Sequence, residues 1–340
     1  MKIQNKTKYF FLENKPKDEC GIFGVSNDQN AGNLVALGLH ALQHRGQDST
    51  GIVTSDKNNF YAHRGMGQVS EVFSNKELLN TLKGSMSIGH NRYGTTGESA
   101  LKNVQPLFSE LSVGGVAIAH NGNLTNTHQL KEKLIKSGSI FQSTSDTEVI
   151  LHLLSTASGT LLERLTYALN SISGAYSLLI MTNSKLIGVR DPFGIRPLVL
   201  GKYKNSYILS SESCGLDIIG AELIRDIEPG EIVVIKENKL ESIKPFKKTK
   251  LRPCLFEYIY FSRPDSLLDG VTTYEYRKKL GSELSNEDNI KADLVVPVPD
   301  SGNAAAIGYS QSKNIKFDLG LIRNHYVGRT FIEPAQKIRS

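Results

Sequence analysis

The chain has 340 residues, with 40 lysines and arginines against 34 aspartates and glutamates, a net charge of +6 and three cysteines. This length accommodates two domains, each large enough to bury a hydrophobic core. A hydrophobic fraction of 39% with 22% charged residues excludes a disordered or collagen-like protein.

Composition also limits which binding partners and which cellular compartment are expected. No apolar run approaches the roughly 20 residues that cross a bilayer, so we expect no membrane partner. The mild positive charge suits an anionic small molecule but gives no reason to expect nucleic acid. Three cysteines are too few for a disulfide framework and predict a reducing, cytoplasmic location.

The first 19 residues form a polar leader. Its apolar cluster, Tyr9–Leu12, is shorter than the 7–15-residue apolar core of a secretory signal. A short buried strand is predicted directly after the leader, beginning at Cys20. Two interpretations remain open: residues 1–19 are a frayed tail, or they are a propeptide whose removal makes Cys20 the first residue.

From residue 20 to about 245, short apolar segments alternate with turns rich in Gly, Asn, Asp and Ser. The predicted strands after the first are Gly51–Ser55, Ser87–Asn91, Val116–His120, Ala175–Met181, Leu186–Arg190, Leu198–Leu200, Tyr207–Ser210 and Glu231–Ile235. The predicted helices are Leu34–Gln43, Thr127–Lys136, one opening with a capping box at Ser145–Glu148, and Leu161–Ile172. Runs of strands flanked by paired helices predict an α+β fold in which sheets are stacked between helical layers.

The sequence pattern changes after a basic stretch, residues 244–252, which has five basic residues in nine and no acid. We interpret it as a solvated linker and place a domain boundary there, so that the second domain spans 250–340. In that domain Ala292–Pro299 resembles a buried parallel strand, followed by a turn at 300–302 and a helix at Asn303–Gln311. This order is the opening of an α/β sheet.

Four polar positions in the first domain fit a site for an α-amino acid amide. Cys20, if its α-amino group were free, would be a thiol nucleophile beside a suitable base. Arg92 offers a planar fork for a carboxylate, and Asn121 with the N–H of Gly122 could stabilise an oxyanion. Asp146 could hold an ammonium group. Each residue also has an ordinary alternative role: an inert buried thiol for Cys20, and a helix cap for Asp146.

The motifs that contain these residues resemble those of the glutamine phosphoribosylpyrophosphate amidotransferases, the amidophosphoribosyltransferases of de novo purine biosynthesis. The glutaminase-like motifs are CGIFGV, LQHRGQDSTGI, GHNRYGTTG, AHNGNLTN and TSDTEV. By themselves they would also admit glucosamine-6-phosphate synthase, asparagine synthetase or glutamate synthase. The motifs that favour the amidophosphoribosyltransferases are RDPFGIRPLVLG, EYIYFSRPDS, VVPVPDSG and RNHYVGRTFIEP.

The resemblance implies a four-layer αββα sandwich of the N-terminal nucleophile hydrolases over residues 20–245, after a propeptide at 1–19. Cys20 would attack the glutamine carboxamide, with Asn121 and Gly122 as the oxyanion hole. Arg92 would bind the α-carboxylate of glutamine and Asp146 its α-amino group. The ammonia released would convert phosphoribosyl pyrophosphate to 5-phosphoribosylamine.

For residues 250–340 the resemblance implies a partial type I phosphoribosyltransferase domain. Ser301 would lie at the site of pyrophosphate and Mg²⁺, and Arg323 and Arg329 would be phosphate partners on a closing loop. Cys254 aligns with a ligand of a four-iron–four-sulfur cluster in one branch of the family, whereas other members keep a cysteine there without a cluster. A full-length relative would be expected to form homo-oligomers.

One family feature is missing from the sequence. Residues 250–340 contain no strand that ends in two adjacent acids followed by a Thr/Gly phosphate loop. We therefore expect a truncated chain whose transferase half is incomplete and weakly stabilised. The alternative hypothesis is a non-catalytic or glutaminase-only fragment that complements a separate chain.

Overall fold

The computed structural model describes residues 20–93, 100–247 and 249–324. The predicted propeptide, residues 1–19, and Arg329 lie outside these ranges. Within the described ranges, no helix is both long and apolar enough to cross a membrane.

The chain forms two large antiparallel sheets and a smaller C-terminal unit. The strands are β1 (Gly21–Val25), β2 (Ser49–Ser55), β3 (Phe60–Met66), β4 (Met86–Arg92), β5 (Leu107–Leu111), β6 (Gly114–Leu124), β7 (Gly174–Met181), β8 (Leu186–Arg190), β9 (Val199–Tyr203), β10 (Ser206–Ser210), β11 (Glu222–Asp226), β12 (Ile232–Lys236), β13 (Lys239–Ile243), β14 (Leu267–Leu268), β15 (Val271–Thr272), β16 (Leu294–Val295) and β17 (Lys316–Phe317). The helices are α1 (Ala31–Ala41), α2 (Val69–Val72), α3 (Lys76–Thr81), α4 (Thr127–Lys136), α5 (Thr147–Thr156), α6 (Leu161–Ser171), α7 (Cys214–Asp217), α8 (Thr273–Glu287) and α9 (Asn303–Lys313).

The first sheet has the strand order β11-β9-β10-β1-β4-β2-β3, and the second has the order β13-β12-β8-β7-β6-β5. Alternation along β1 explains how the sheets stack. Ile22 faces a core shared by the two sheets, whereas Phe23 and Val25 face α1 on the outside of the first sheet. In β6, Ala117 and Ala119 face the shared core and Ile118 packs towards α5 and α6. The four predicted layers, helix–sheet–sheet–helix, are therefore present.

Most predicted elements are confirmed with small shifts in their ends. The strands β3, β5, β11 and β13 of the sandwich were not predicted, nor were the helices α2, α3, α7 and α8 or the short strands β14, β15 and β17. All four of these sandwich strands are edge strands with several exposed or half-exposed residues. Polar residues protect sheet edges from aggregation and also remove the apolar signature of a strand.

The predicted capping box at the start of α5 was wrong. Asp146 occupies the N-cap position, and no side-chain hydrogen bond caps the helix there. Glu148 instead accepts hydrogen bonds from the backbone N–H groups of Gln142 and Ser143, both at 2.7 Å. The reciprocal capping box occurs at α6, between Thr160 and Glu163.

The C-terminal unit begins with a π-helical turn, Glu257–Phe261, and continues through α8, β16, α9 and β17. The predicted strand Ala292–Pro299 is much shorter, because only Leu294–Val295 pairs, in parallel, with Lys316–Phe317. It is thus not left without a neighbour, as the truncation hypothesis implied, although Val296 and Val298 remain exposed.

Two glycines let α8 and α9 cross at very short distance. A Cβ atom at Gly281 would lie 1.8 Å from the carbonyl oxygen of Ala305, and one at Gly308 would lie 1.9 Å from that of Lys278. Both obstacles are backbone atoms, so the helices would have to separate to accept a larger residue.

We expect Gly308→Ala to destabilise the C-terminal unit by about 1–3 kcal/mol, because overpacking outweighs the gain in helix propensity. Limited proteolysis should then cleave residues 249–324 faster than in the parent chain. Gln311→Ala, at an exposed position of α9, is the matched control and should leave the cleavage rate unchanged. Equal cleavage rates for Gly308→Ala and the parent would contradict the close crossing.

Candidate active site

The predicted site residues meet where the two sheets adjoin. Cys20 directly precedes β1, and Arg92 ends β4, which pairs with β1 so that Gly21 lies opposite Asn91. Asn121 and Gly122 lie in β6 of the other sheet. Cys20, Arg92 and Asn121 are all buried. Residues that are about 100 positions apart in the sequence thus form one polar group inside the sandwich.

Asn121 contacts the cysteine directly. Its Oδ1 atom accepts a hydrogen bond from the backbone N–H of Cys20 at 3.4 Å. This bond fixes the orientation of the amide, whose Nδ2 group is buried and has no hydrogen-bond partner among the described residues. A buried donor without a partner is costly in a folded protein and fits a position where a ligand oxygen binds.

Gly122 has a backbone conformation that favours glycine, with φ +147°. A Cβ atom here would lie 2.1 Å from the carbonyl oxygen of Ala175 on the neighbouring strand. A side chain would therefore displace β6 from β7 and move Asn121 with it. Asn121 and Gly122 thus lie on a stretch of β6 that is held rigidly against β7, next to the backbone of Cys20.

Arg92 is held by a buried ion pair. Its Nη1 atom donates to Oδ2 of Asp48 at 2.9 Å, and both side chains are buried. Because the guanidinium is a planar fork with five N–H donors, a pair on one side fixes the direction of the whole group. This orientation suits recognition of a carboxylate.

Asp146 does not cap its helix. Its Oδ2 atom accepts from the N–H of Leu124 at 2.9 Å, and its Oδ1 atom lies 3.6 Å from Nδ1 of His120. Burial opposes ionisation, but His120 and the Leu124 N–H outweigh it, and the pKa of Asp146 lies below its ordinary value. A buried carboxylate that stays ionised at neutral pH suits an ammonium group.

Two histidines support this group, and sequence reasoning assigned them no role although they stand beside Arg92 and Asn121 in the motifs. Nε2 of His90 donates to the carbonyl oxygen of His120 at 3.0 Å. Burial lowers the pKa of His90 to about 3, so its ring is neutral. The N–H of His120 donates to Gln105 at 2.8 Å. The His90 bond links β4 of the first sheet to β6 of the second, and the Gln105 bond holds β6 from the other side.

Arg45 is the most extensively bonded residue near Cys20 to which the sequence assigned no role. Its side chain is completely buried, and its Nε atom donates to the carbonyl oxygen of Cys20 at 2.7 Å. Its Nη1 atom lies 2.6 Å from Glu212, and both Nη atoms bond to Glu257 at 2.8–2.9 Å. The only sequence signal was an arginine inside the motif LQHRGQDSTGI.

The two glutamates around Arg45 are ionised. Burial raises the pKa of an isolated carboxyl, but His44 and Arg45 hold the pKa of Glu212 well below its ordinary value. Arg45 and Arg196 lower the pKa of Glu257 in the same way, against its burial. Arg196 donates to Glu257 at 3.0 Å, so the buried cluster contains two arginines and two glutamates.

The cluster does not suit a metal ion, although His44, Glu212 and Cys214 offer ligand atoms within 4.8 Å of one another. The carboxylate of Glu212 already accepts from His44 at 2.8 Å, from Ser266 at 2.7 Å and from Arg45. A guanidinium at 2.6 Å repels a second cation. Burial also raises the pKa of the Cys214 thiol, which disfavours the thiolate that metals bind.

The predicted residues of the second half that the structure describes lie on segments other than those that carry Cys20, Arg92 and Asn121. Ser301 is exposed in the turn after β16, and the neighbouring Asp300 pairs with Nε of Arg323 at 3.1 Å. The N–H of Cys254 donates to the carbonyl oxygen of Ile195 at 3.1 Å. The chain does not supply the ligands of an iron–sulfur cluster, which takes four thiolates, because it has three cysteines and two belong to the groups above.

Comparison with known proteins gives consistent matches. A family model described as a glutamine amidotransferase domain matches residues 90–217. The amidophosphoribosyltransferase of Rhizobium etli is 52% identical over 329 residues, which cover 95% of this chain and 66% of the relative. That of Bacillus subtilis is 46% identical over 324 residues, which cover 95% of this chain and 68% of the relative.

The solved structures agree. The glutamine phosphoribosylpyrophosphate amidotransferase of B. subtilis, complexed with ADP and GMP, matches with a TM-score of 0.87 and 44% identity, over 94% of this chain and 70% of that one. The fold is therefore that of an N-terminal nucleophile glutamine amidotransferase domain with a C-terminal extension. This chain spans about two thirds of the length of these relatives.

The ionised glutamates predict a specific sensitivity to acid. A carboxyl whose pKa is lower in the folded state contributes stability above its unfolded pKa, and that contribution is lost as the pH falls through the folded pKa. We expect Glu212→Gln to be less stable than the parent at neutral pH. Its free energy of unfolding should fall less steeply below about pH 5, because the group that takes up the proton is gone.

Denaturant unfolding at steps between about pH 7 and pH 3.5 measures both effects. Glu132→Gln, which removes an exposed carboxylate on α4, is the control and should follow the parent curve. Parallel curves for Glu212→Gln and the parent would show that the cluster is not ionised in the fold.

Proposed function

This chain belongs to the amidophosphoribosyltransferase family, and we propose that Cys20 cleaves glutamine to supply ammonia for the conversion of phosphoribosyl pyrophosphate to 5-phosphoribosylamine. The contact between Cys20 and Asn121 carries the proposal. The same side chain that contacts the backbone of Cys20 carries a buried N–H₂ group that has no partner among the described residues. Such a donor stabilises the negative oxygen that forms when a thiolate attacks a carboxamide.

The reaction proceeds in two steps. The sulfur of Cys20 attacks the carboxamide carbon of glutamine, and the oxygen becomes an oxyanion that Asn121 Nδ2 and the Gly122 N–H stabilise. The C–N bond then breaks, and the nitrogen leaves as ammonia after it takes up the thiol proton. Water attacks the resulting glutamyl thioester, which releases glutamate and restores the thiol.

The base in this scheme is the α-amino group of Cys20, and it exists only after residues 1–19 are removed. A free α-amino group has a pKa of about 7.7–8.0, close to what a base at neutral pH requires. Oδ1 of Asn121, which now accepts from the Cys20 backbone N–H, would then hold that amine. One side chain would thereby orient both the base and the oxyanion donor.

Glutamine would lie between two charged groups of opposite sign. Arg92, oriented by Asp48, would bind the α-carboxylate, and Asp146 would bind the α-ammonium. Because both side chains are buried, each charge is only weakly screened, and a ligand that lacks its counterpart forgoes an ion pair that water does not replace.

We assign residues 20–245 to the glutaminase domain and residues 250–340 to part of a phosphoribosyltransferase domain. The turn at Asp300–Gly302 would bind pyrophosphate, with Arg323 and Arg329 as phosphate partners. The hydroxyl of Ser301 and the carboxylate of Asp300 are oxygen donors of the kind Mg²⁺ prefers. When bound, Mg²⁺ would neutralise charge on the pyrophosphate leaving group.

We also propose the substrates, the oligomeric state and the cellular location of the protein. Glutamine and phosphoribosyl pyrophosphate would be the small-molecule partners, and the full-length protein would form homo-oligomers. We place the protein in the cytoplasm, where its three free cysteines would stay reduced.

Cys20→Ala should abolish glutamine hydrolysis, because it removes the nucleophile and leaves the fold intact. The assay measures glutamate and ammonia release from chains whose N-terminal residue has been identified by intact mass. Cys254→Ala, at a half-buried cysteine outside the glutaminase group, is the matched control. Full hydrolysis by a chain that retains Met1 would contradict the N-terminal cysteine mechanism.

Asp146→Asn should raise KM for glutamine about 100-fold, because the isosteric amide retains a hydrogen-bond acceptor for Leu124 but loses the charge that binds the ammonium group. The sharper measurement compares glutamine with its analogue lacking the α-amino group. The parent enzyme should prefer glutamine strongly, and the variant should discriminate little between the two. An unchanged preference would show that Asp146 does not contact the amine.

A further inference from the structure

A buried chain of hydrogen bonds connects the segment after the linker to the nucleophile. Glu257 lies in the π-helical turn of the C-terminal unit, whereas Arg45 follows α1 in the sandwich. The two side chains form a bidentate pair at 2.8–2.9 Å. Arg45 in turn donates from Nε to the carbonyl oxygen of Cys20 at 2.7 Å.

The geometry of a guanidinium makes this connection stiff. Its five N–H donors lie in one plane, so two bonds from the Nη atoms to a carboxylate determine where the Nε–H points. Arg45 is completely buried and Glu257 is 2% exposed, so water does not replace either bond. A change at Glu257 therefore changes the direction of the bond that Arg45 makes with Cys20.

We propose that Glu257 is a positioning residue for glutamine cleavage, which acts through Arg45 on the backbone of Cys20. The nucleophile of the first domain is thereby held by a side chain of the second segment. This inference rests on the proposed function. Glu257 itself does not contact glutamine in this scheme.

The cluster also indicates which substitution isolates this role. Glu212 bonds to Nη1 of Arg45 at 2.6 Å independently of Glu257, so Arg45 keeps one carboxylate partner when Glu257 is replaced. In Glu257→Gln the side chain keeps its size, but its amide N–H₂ takes the place of one carboxylate oxygen and faces an N–H donor of Arg45. One bond of the bidentate pair is lost, and the guanidinium is held less firmly on that side.

The chain offers a matched control in Glu231. Its carboxylate is buried and forms a bidentate pair with Arg225 at 2.6–2.7 Å. Neither residue belongs to the glutaminase group. Glu231→Gln therefore breaks a bidentate pair of a buried carboxylate elsewhere in the sandwich, with an arginine that is 35% exposed. Thermal midpoints measured for both variants separate the effect of position from the effect of stability.

The experiment uses the full chain with Cys20 as its verified first residue and measures kcat and KM for glutamine. It also measures the rate at which a glutamine-derived alkylating agent modifies the Cys20 thiol. We expect Glu257→Gln to lower kcat and the alkylation rate together by about tenfold or more, with KM within about twofold of the parent. Glu231→Gln should leave all three quantities near their parent values.

A second variant keeps the test decisive if Glu257→Gln unfolds. Glu257→Asp preserves the buried charge but shortens the side chain by one methylene, so the bidentate contact with Arg45 is lost. We expect the same fall in kcat and alkylation rate, with a smaller fall in thermal midpoint than Glu257→Gln shows, because the buried charge is kept. Parent-like kcat and alkylation rate in Glu257→Asp would overturn the proposal, and so would equal losses in Glu257→Gln and Glu231→Gln.

Failure of the proposed function gives a different result. In that case the parent chain would not hydrolyse glutamine, or Cys20→Ala would hydrolyse it equally well, and the Glu257 variants would have no activity to compare. Hydrolysis that depends on Cys20 but not on Glu257 would reject this inference alone.

Discussion

The interaction on which the rest of the site depends is the burial of Arg45. A guanidinium without solvent is costly unless carboxylates surround it, and here Glu212 and Glu257 supply both charge and hydrogen bonds. Removal of one partner from such a group typically costs about 3–5 kcal/mol, because the remaining charge stays buried. The cluster is therefore a constraint on the fold, since any arrangement that separates its parts leaves a charge unpaired.

This constraint explains how the C-terminal segment is anchored. The N–H groups of Arg252 and Cys254 donate hydrogen bonds to the carbonyl oxygens of Phe193 and Ile195. These two bonds bring the next turn to the surface of the sandwich. Glu257 then enters the cluster. The backbone hydrogen bonds fix which residues of the segment face the sandwich, and the pairing of Glu257 with Arg45 fixes how far the segment packs into it.

The sequence predicted the sandwich because its central strands leave a local pattern. Short apolar runs between turn residues identified these strands, and the predicted site residues Arg92, Asn121 and Gly122 lie on two of them. The charge cluster left no such pattern. Arg45 is 167 positions from Glu212 and 212 positions from Glu257, and only the topology brings them together. The same limit applies to Asp146, whose place before a helix indicated a cap although tertiary contact directs it to Leu124.

Several buried polar atoms near the cysteine have no hydrogen-bond partner among the described residues. Among the described residues, the buried atoms without partners include Nδ2 of Asn121, Nε2 of His120 and Nδ1 of His90, which belong to β4 and β6 around the cysteine. Folding alone disfavours such atoms, so their concentration at one point requires another source of stability. The hydrogen bonds from His90 to the carbonyl oxygen of His120 and from the Cys20 N–H to Asn121 link the two sheets here, while the buried ion pairs of Arg45 and Arg92 hold the segments on the side of the first sheet. The site can then keep polar atoms that groups of the described residues do not satisfy and that a ligand would.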